Sequence, residues 1–172
     1  FLNSLLFLPF VRIFARFLEK VVRDRGVKEP PHLTHLNISM LDTPGLGIQR
    51  SLDELKRMSQ SVEKMMRLLR DELSSDEIDE KRRSKIFRRE EILDTVQKEI
   101  TEFITGILSG HVTHDVLEES RRQLRLADEY ESISDYAVGI LKLRIRLEES
   151  GLSFSEQGRT EILNLHDQVY RY

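Results

Sequence analysis

The chain has 172 residues, of which 33% are charged, 39% hydrophobic and only 7% aromatic, a balance that suits one domain of amphipathic helices plus an appendage. A net charge of −3 with no basic stripe leaves little for nucleic acid to bind, and the absence of cysteine excludes disulfides and thiolate chemistry and suits a reducing compartment. All four prolines precede residue 45, so no pyrrolidine ring interrupts a helix beyond that point.

Phe1–Leu18 is apolar on most sides but carries Asn3, Arg12 and Arg16. A membrane span needs about 20 mostly apolar residues. The run is too short and too charged to cross alone, and its charges follow the apolar stretch where a signal peptide would place them first. With Lys20, Arg23, Arg25 and Lys28 behind it, residues 1–25 read as the exit end of a transmembrane helix or as a membrane-proximal helix, under the positive-inside rule. Residues 26–43 are linker-like, because Pro30-Pro31 forbids helix there. A helical domain is expected over 44–172.

Thr43-Pro44 predicts a helix start, with proline at the first helical position. Ile48, Leu52, Leu55, Val62, Met66, Leu69 and Leu73 then recur in steps of four and three, and Met58 and Met65 thicken that stripe as core filler. Ser74 with Glu77 has the form of a capping box for a second helix, which runs to about Ser109 and stops at Gly110. Its inner face is Leu93, Val96, Ile100, Phe103, Ile104 and Ile107, and the mixed-sign run Glu80–Glu91 reads as a solvated face. A third helix is predicted from Thr113–Asp115 to Gly151, with the stripe Leu126, Tyr130, Ile133, Ala137, Ile140, Leu141 and Leu147. Ser153 and Glu156 suggest the cap of a fourth, whose apolar face continues through Ile162, Leu165, Val169 and Tyr172 without a stop signal. Both ends of the chain are therefore expected to lie within larger elements. The fold class is all-α, an antiparallel helical bundle joined by short turns. His32/His35 and His111/His114 recur at i,i+3 but fall at loops or caps. No phosphate-binding glycine loop, nucleophile elbow or zinc-protease motif is present, so nothing in the sequence supports an enzyme.

Two acidic i,i+4 pairs stand out, Glu90/Asp94 on the second helix and Glu131/Asp135 on the third. At about 100° per residue, Glu131 and Asp135 fall nearly opposite the stripe through Leu126, Ile133 and Ala137, and Glu90 and Asp94 fall to the side of theirs. Oxygen donors of this kind suit hard cations or ferric iron. Two like charges at this spacing cost a helix only about 0.2–0.5 kcal/mol, too little to require an ion. A solvated acidic face and a metal site both remain open on these grounds.

Glu90-Glu91-Ile92-Leu93-Asp94, followed by Glu129-Tyr130-Glu131-Ser132-Ile133-Ser134-Asp135-Tyr136-Ala137, resembles the paired acidic motif of PhoU-like domains. Phe1–Leu18, Leu41-Asp42-Thr43-Pro44 and Leu147–Ser155 resemble, in the same order, the last membrane helix and cytoplasmic tail of bacterial type II sodium/phosphate cotransporters. The resemblance implies a three-helix repeat plus the start of a further helix. It implies Glu90, Asp94, Glu131 and Asp135 as metal ligands, with Glu129 as an accessory, and a metal of the iron, zinc or magnesium class as cofactor. In place of the family's usual Glu-Arg-Ile-Gly-Asp-His this chain has Ser132, Ser134 and Tyr136 at the arginine, glycine and histidine positions. The implied role is regulation of phosphate uptake at the cytoplasmic side of the bacterial inner membrane. The implied partners are the membrane domain of the same polypeptide, a second copy in a homodimer and a phosphate-signalling protein, with no nucleic acid.

Overall fold

The computed structural model describes residues 43–171. Residues 1–42, on which the membrane-exit, linker and His32/His35 readings fall, and Tyr172 lie outside the described residues. Four helices follow one another: α1 (Pro44–Ser74), α2 (Glu80–Leu108), α3 (His114–Glu149) and α4 (Glu156–Tyr170). Among the described residues no helix is long and apolar enough to cross a membrane.

The helix ends follow local chemistry, with three corrections to the sequence reading. Pro44 opens α1 as expected, and the Gly47 amide donates to the Thr43 carbonyl at 3.0 Å, but the Thr43 side chain makes no capping bond. Ser74 caps nothing ahead of it. It is still in α1, with its hydroxyl on the Asp71 carbonyl, and the cap of α2 is Asp79, whose carboxylate accepts the Arg82 amide at 3.0 Å. An ionised acceptor at a helix N-terminus serves both the free amide and the dipole. The cap of α4 is likewise Ser155, not Ser153, accepting the Gly158 amide at 3.1 Å. α3 begins within the predicted Thr113–Asp115, with Thr113 as its cap. Gly151 ends it at φ 69°, where the amides of Gly151 and Leu152 reach back to the carbonyls of Glu148 and Leu147. That pairing is a Schellman motif, and it needs a left-handed residue that glycine supplies without a Cβ clash.

The first three helices run up, down and up around one core. Ile48, Leu55, Met58, Val62, Met65, Leu69 and Leu73 of α1 meet Ile86, Leu93, Ile100, Ile104 and Ile107 of α2. Each such side chain contributes about 1.5–3 kcal/mol when fully buried. The predicted faces of α1 and α2 hold. The face of α3 is rotated from the predicted one. Ile133 and Ile140 are exposed, while Ala127, Ser134, Ala137, Val138 and Leu141 are buried. Ala127, Ser134 and Ala137 let this helix approach two neighbours at once, and Ile133 and Ile140 are left outside. Near the start of the bundle Ser51, Glu54, Ser120 and Gln123 are also buried, and the Gln123 amide donates to the Ile48 carbonyl at 3.1 Å. Among the described helices α4 packs against α1 alone.

Candidate functional site

The rotation of α3 changes where its acidic pair sits. Taking 3.6 residues per turn, Glu131 lies about 70° and Asp135 about 110° from the centre of the buried arc, so neither is opposite the core. Glu131 is half-buried, at the margin facing α2, and Glu90 and Asp94 are half-buried at the facing margin of α2. Because the two helices are antiparallel, Glu90 comes opposite Asp135 and Asp94 opposite Glu131. The same register sets Gln97 against Asp128, whose carboxylate accepts the Gln97 amide at 2.6 Å. Four carboxylates separated by up to 45 positions in the chain thus form one acidic seam.

Their electrostatics show the crowding. Burial, followed by the charges of Asp135 and Asp94, holds the Glu90 carboxyl above the usual range, with Lys142 pulling the other way. Burial, then Asp135 and Asp94, raises the Glu131 carboxyl in the same manner, opposed by the Ser132 hydroxyl 3.5 Å from it. Lys98 donates to Asp94 at 2.7 Å and feels Glu131, so its ammonium is held above its ordinary value and supplies part of the missing counter-charge. Glu129 does not belong to the seam. It lies on a different side of α3, where it pairs with Arg125 at 2.9 Å.

The donor set is chemically suited to a hard cation: four carboxylates, two from each helix. In the present side-chain placement no three or more histidine, cysteine, aspartate or glutamate side chains among the described residues are grouped to hold a metal. A metal would require the carboxylates to turn inward and Lys98 to leave Asp94. Of the residues that depart from the family motif, Ser134 is fully buried with its hydroxyl on the Glu131 carbonyl at 2.8 Å, so it serves the close approach of α3. Tyr136 is 75% exposed and takes no part in the seam. His111 and His114 sit in the loop before α3 and at its first residue, both exposed.

Two polar sites were not anticipated. The first lies where α1 ends, α2 begins and α3 ends. Arg83, only 5% exposed, donates to Glu72 of α1 at 2.5 Å and to Glu148 of α3 at 2.5 Å, and Arg82 donates to the other Glu72 oxygen at 3.1 Å. Arg144 stacks over Phe154 with its guanidinium 5.6 Å from the ring centre. The run Glu80–Glu91 is therefore not uniformly solvated. The available sequence signal was a charged residue falling on the Ile86–Leu93 face, three positions before Ile86. The second site is the seam between α1 and α4. His166 is buried against the Met66 carbonyl at 3.0 Å, and Arg70 grips Asp167 through two bonds of 2.7 and 2.9 Å.

A three-helix bundle with this acidic seam is matched by a family model, that of the PhoU domain, over residues 55–143. The chain belongs to the PhoU domain family. Among curated proteins it is similar to one of Salmonella typhimurium (strain LT2) described as "Putative inorganic phosphate export protein YjbB", with 27% identity over 175 residues. That alignment covers 97% of this chain and 31% of the relative, so the chain spans about a third of that protein's length. No solved structure matches it significantly.

Proposed function

We propose that this domain regulates phosphate movement across a membrane as the PhoU-like part of a phosphate transporter, with the seam of Glu90, Asp94, Glu131 and Asp135 as its cation-responsive surface. The observation that carries the reading is the cross-helix register of the two acidic pairs, which gathers Glu90, Asp94 and Glu131 at half-buried positions beside the exposed Asp135, with Lys98 and Lys142 as the cations that act on them. The PhoU match and the phosphate-related name of the Salmonella relative support the phosphate connection. On this reading the transporter is sodium-dependent, the domain faces the cytoplasm, and its partners are the membrane part of the same polypeptide and a phosphate-signalling protein. A cation of the iron, zinc or magnesium class would be held by the four carboxylates and would supply charge neutralisation across α2 and α3.

A second reading has its own support, because Lys98 already bonds Asp94 and, among the described residues, no three ligand side chains converge. On it the bundle is a structural module and the acidic seam is solvated. Equilibrium dialysis with ferric, zinc and magnesium ions, followed by elemental analysis, separates the two. The regulatory reading expects binding at micromolar metal that disappears in Glu131→Ala with Asp135→Ala, together with altered phosphate flux when the same changes are placed in the transporter reconstituted in vesicles. Absence of both effects leaves the structural module.

A further inference from the structure

The outer face of α3 has a composition that its own fold does not use. Ser132, Tyr136, Gly139 and Leu143 lie about 180° from the centre of the buried arc, at 3.6 residues per turn. Tyr136 is 75% and Leu143 60% exposed. Gly139 is exposed in the middle of a 36-residue helix, and a Cβ built there would meet nothing within 4 Å. Glycine weakens a helix interior, and here no neighbour, turn or positive φ within the molecule requires it. The patch is uncharged along its middle and bounded by Glu129 on one side and Arg146 on the other, and Arg146 pairs with no carboxylate among the described residues.

We propose that this face is a homodimer interface in which α3 packs antiparallel on α3 of a second copy about a twofold axis between Ala137 and Val138. The pattern is self-complementary about that point, as an isologous contact must be. Tyr136 comes opposite Gly139 of the second copy, so a large ring lies on a bare backbone. Leu143 comes opposite Ser132, again large on small. Glu129 comes opposite Arg146, so both ends of the contact pair opposite charges. Each contact occurs twice by symmetry. Glycine at the crossing permits an interaxial distance of about 8 Å, the close end of helix packing. A partner of unrelated sequence has no reason to match large to small and acid to base about one point in α3. Glu90, Asp94 and Glu131 lie away from this contact, and Asp135, one turn before Gly139, borders it.

Sedimentation velocity on the full 172-residue chain from about 1 to about 100 µM tests this. The expected result is a monomer–dimer equilibrium that Gly139→Leu abolishes while helicity is kept, since leucine is the better helix former. Glu129→Arg and Arg146→Glu should each weaken dimerisation about tenfold or more, and the two together should restore it. The chain has no cysteine of its own. Mixed Tyr136→Cys and Gly139→Cys chains should therefore cross-link to each other under mild oxidation more than either does alone. A monomer throughout the range overturns the proposal. So does a dimer indifferent to Gly139→Leu and to both charge reversals, which would place association on another surface such as Phe1–Leu18.

Discussion

Two regions of the bundle, the middle of the α2–α3 contact and the end where α1, α2 and α3 meet, treat clustered charge in opposite ways. At the seam between α2 and α3, four carboxylates share a margin with one lysine bonded to Asp94, and Glu90 and Glu131 are held above their ordinary range. Where α1, α2 and α3 meet, Arg83 satisfies Glu72 and Glu148 together, with opposite charges 2.5 Å apart. The first arrangement stores repulsion and is open to an added cation. The second is closed, because every charge in it already has its partner. The same residue types therefore give a responsive surface in one place and a structural clasp in the other, and the difference lies in the pairing.

The clasp is where substitution should cost most. Arg83→Ala leaves Glu72, 1% exposed, with Arg82 as its remaining cation and breaks the bond to Glu148, so the expected loss in denaturant unfolding is about 2–3 kcal/mol, below the about 3–5 of a buried charge left with no partner. Arg83→Met with Glu72→Met should recover most of it, since a buried pair replaced by packed apolar groups is often neutral. Gly151→Ala acts on the same clasp through the backbone. The alanine must hold φ 69° to keep the turn behind Glu148, and a loss of about 1–2 kcal/mol is expected by thermal unfolding.

Seam substitutions should move stability the other way. Glu131→Gln relieves one like-charge contact and should raise stability at pH 7 by about 0.5 kcal/mol or less, while lowering any cation affinity. Titration gives the finest test of the contrast. Glu90 and Glu131 have folded values raised above 4.5, so their contribution is full below that value and is lost as pH rises through the raised one. Asp167, lowered to about 2 chiefly by its bond to Arg70, contributes above its ordinary 3.8 and loses that contribution as pH falls toward about 2. Thermal melts should therefore be highest in mild acid. Glu90→Gln with Glu131→Gln should flatten the limb on the alkaline side of the maximum, and Asp167→Asn the limb on its acid side. Arg70→Ala should speed amide exchange in α4 with little change in α1–α3, because α4 is anchored on α1 alone.

Helix number, type and most boundaries were legible in the sequence because apolar periodicity and glycine stops are local. Pro44 and Gly151 marked ends that the structure keeps. The caps at Asp79 and Ser155 were misplaced because several serines and acids near each turn compete, and backbone geometry chooses among them. The four seam carboxylates could be picked out by spacing and by the family motif. That spacing set Glu131 and Asp135 on the wrong side of α3, because Ile133 and Ile140 outweighed the smaller residues in the pattern. The bundle buries Ala127, Ser134, Ala137, Val138 and Leu141 instead, a face whose small residues ease the approach of two helices.

The sequence alone determined four helices, a core on α1 and α2, and two acidic pairs of one charge. Only the tertiary structure decided that those pairs face each other. An antiparallel register joins Glu90 to Asp135 and Asp94 to Glu131 across a contact that no local pattern encodes. It also decided that Arg83 is buried while its charged neighbours are wet, because burial depends on which helix arrives beside a residue.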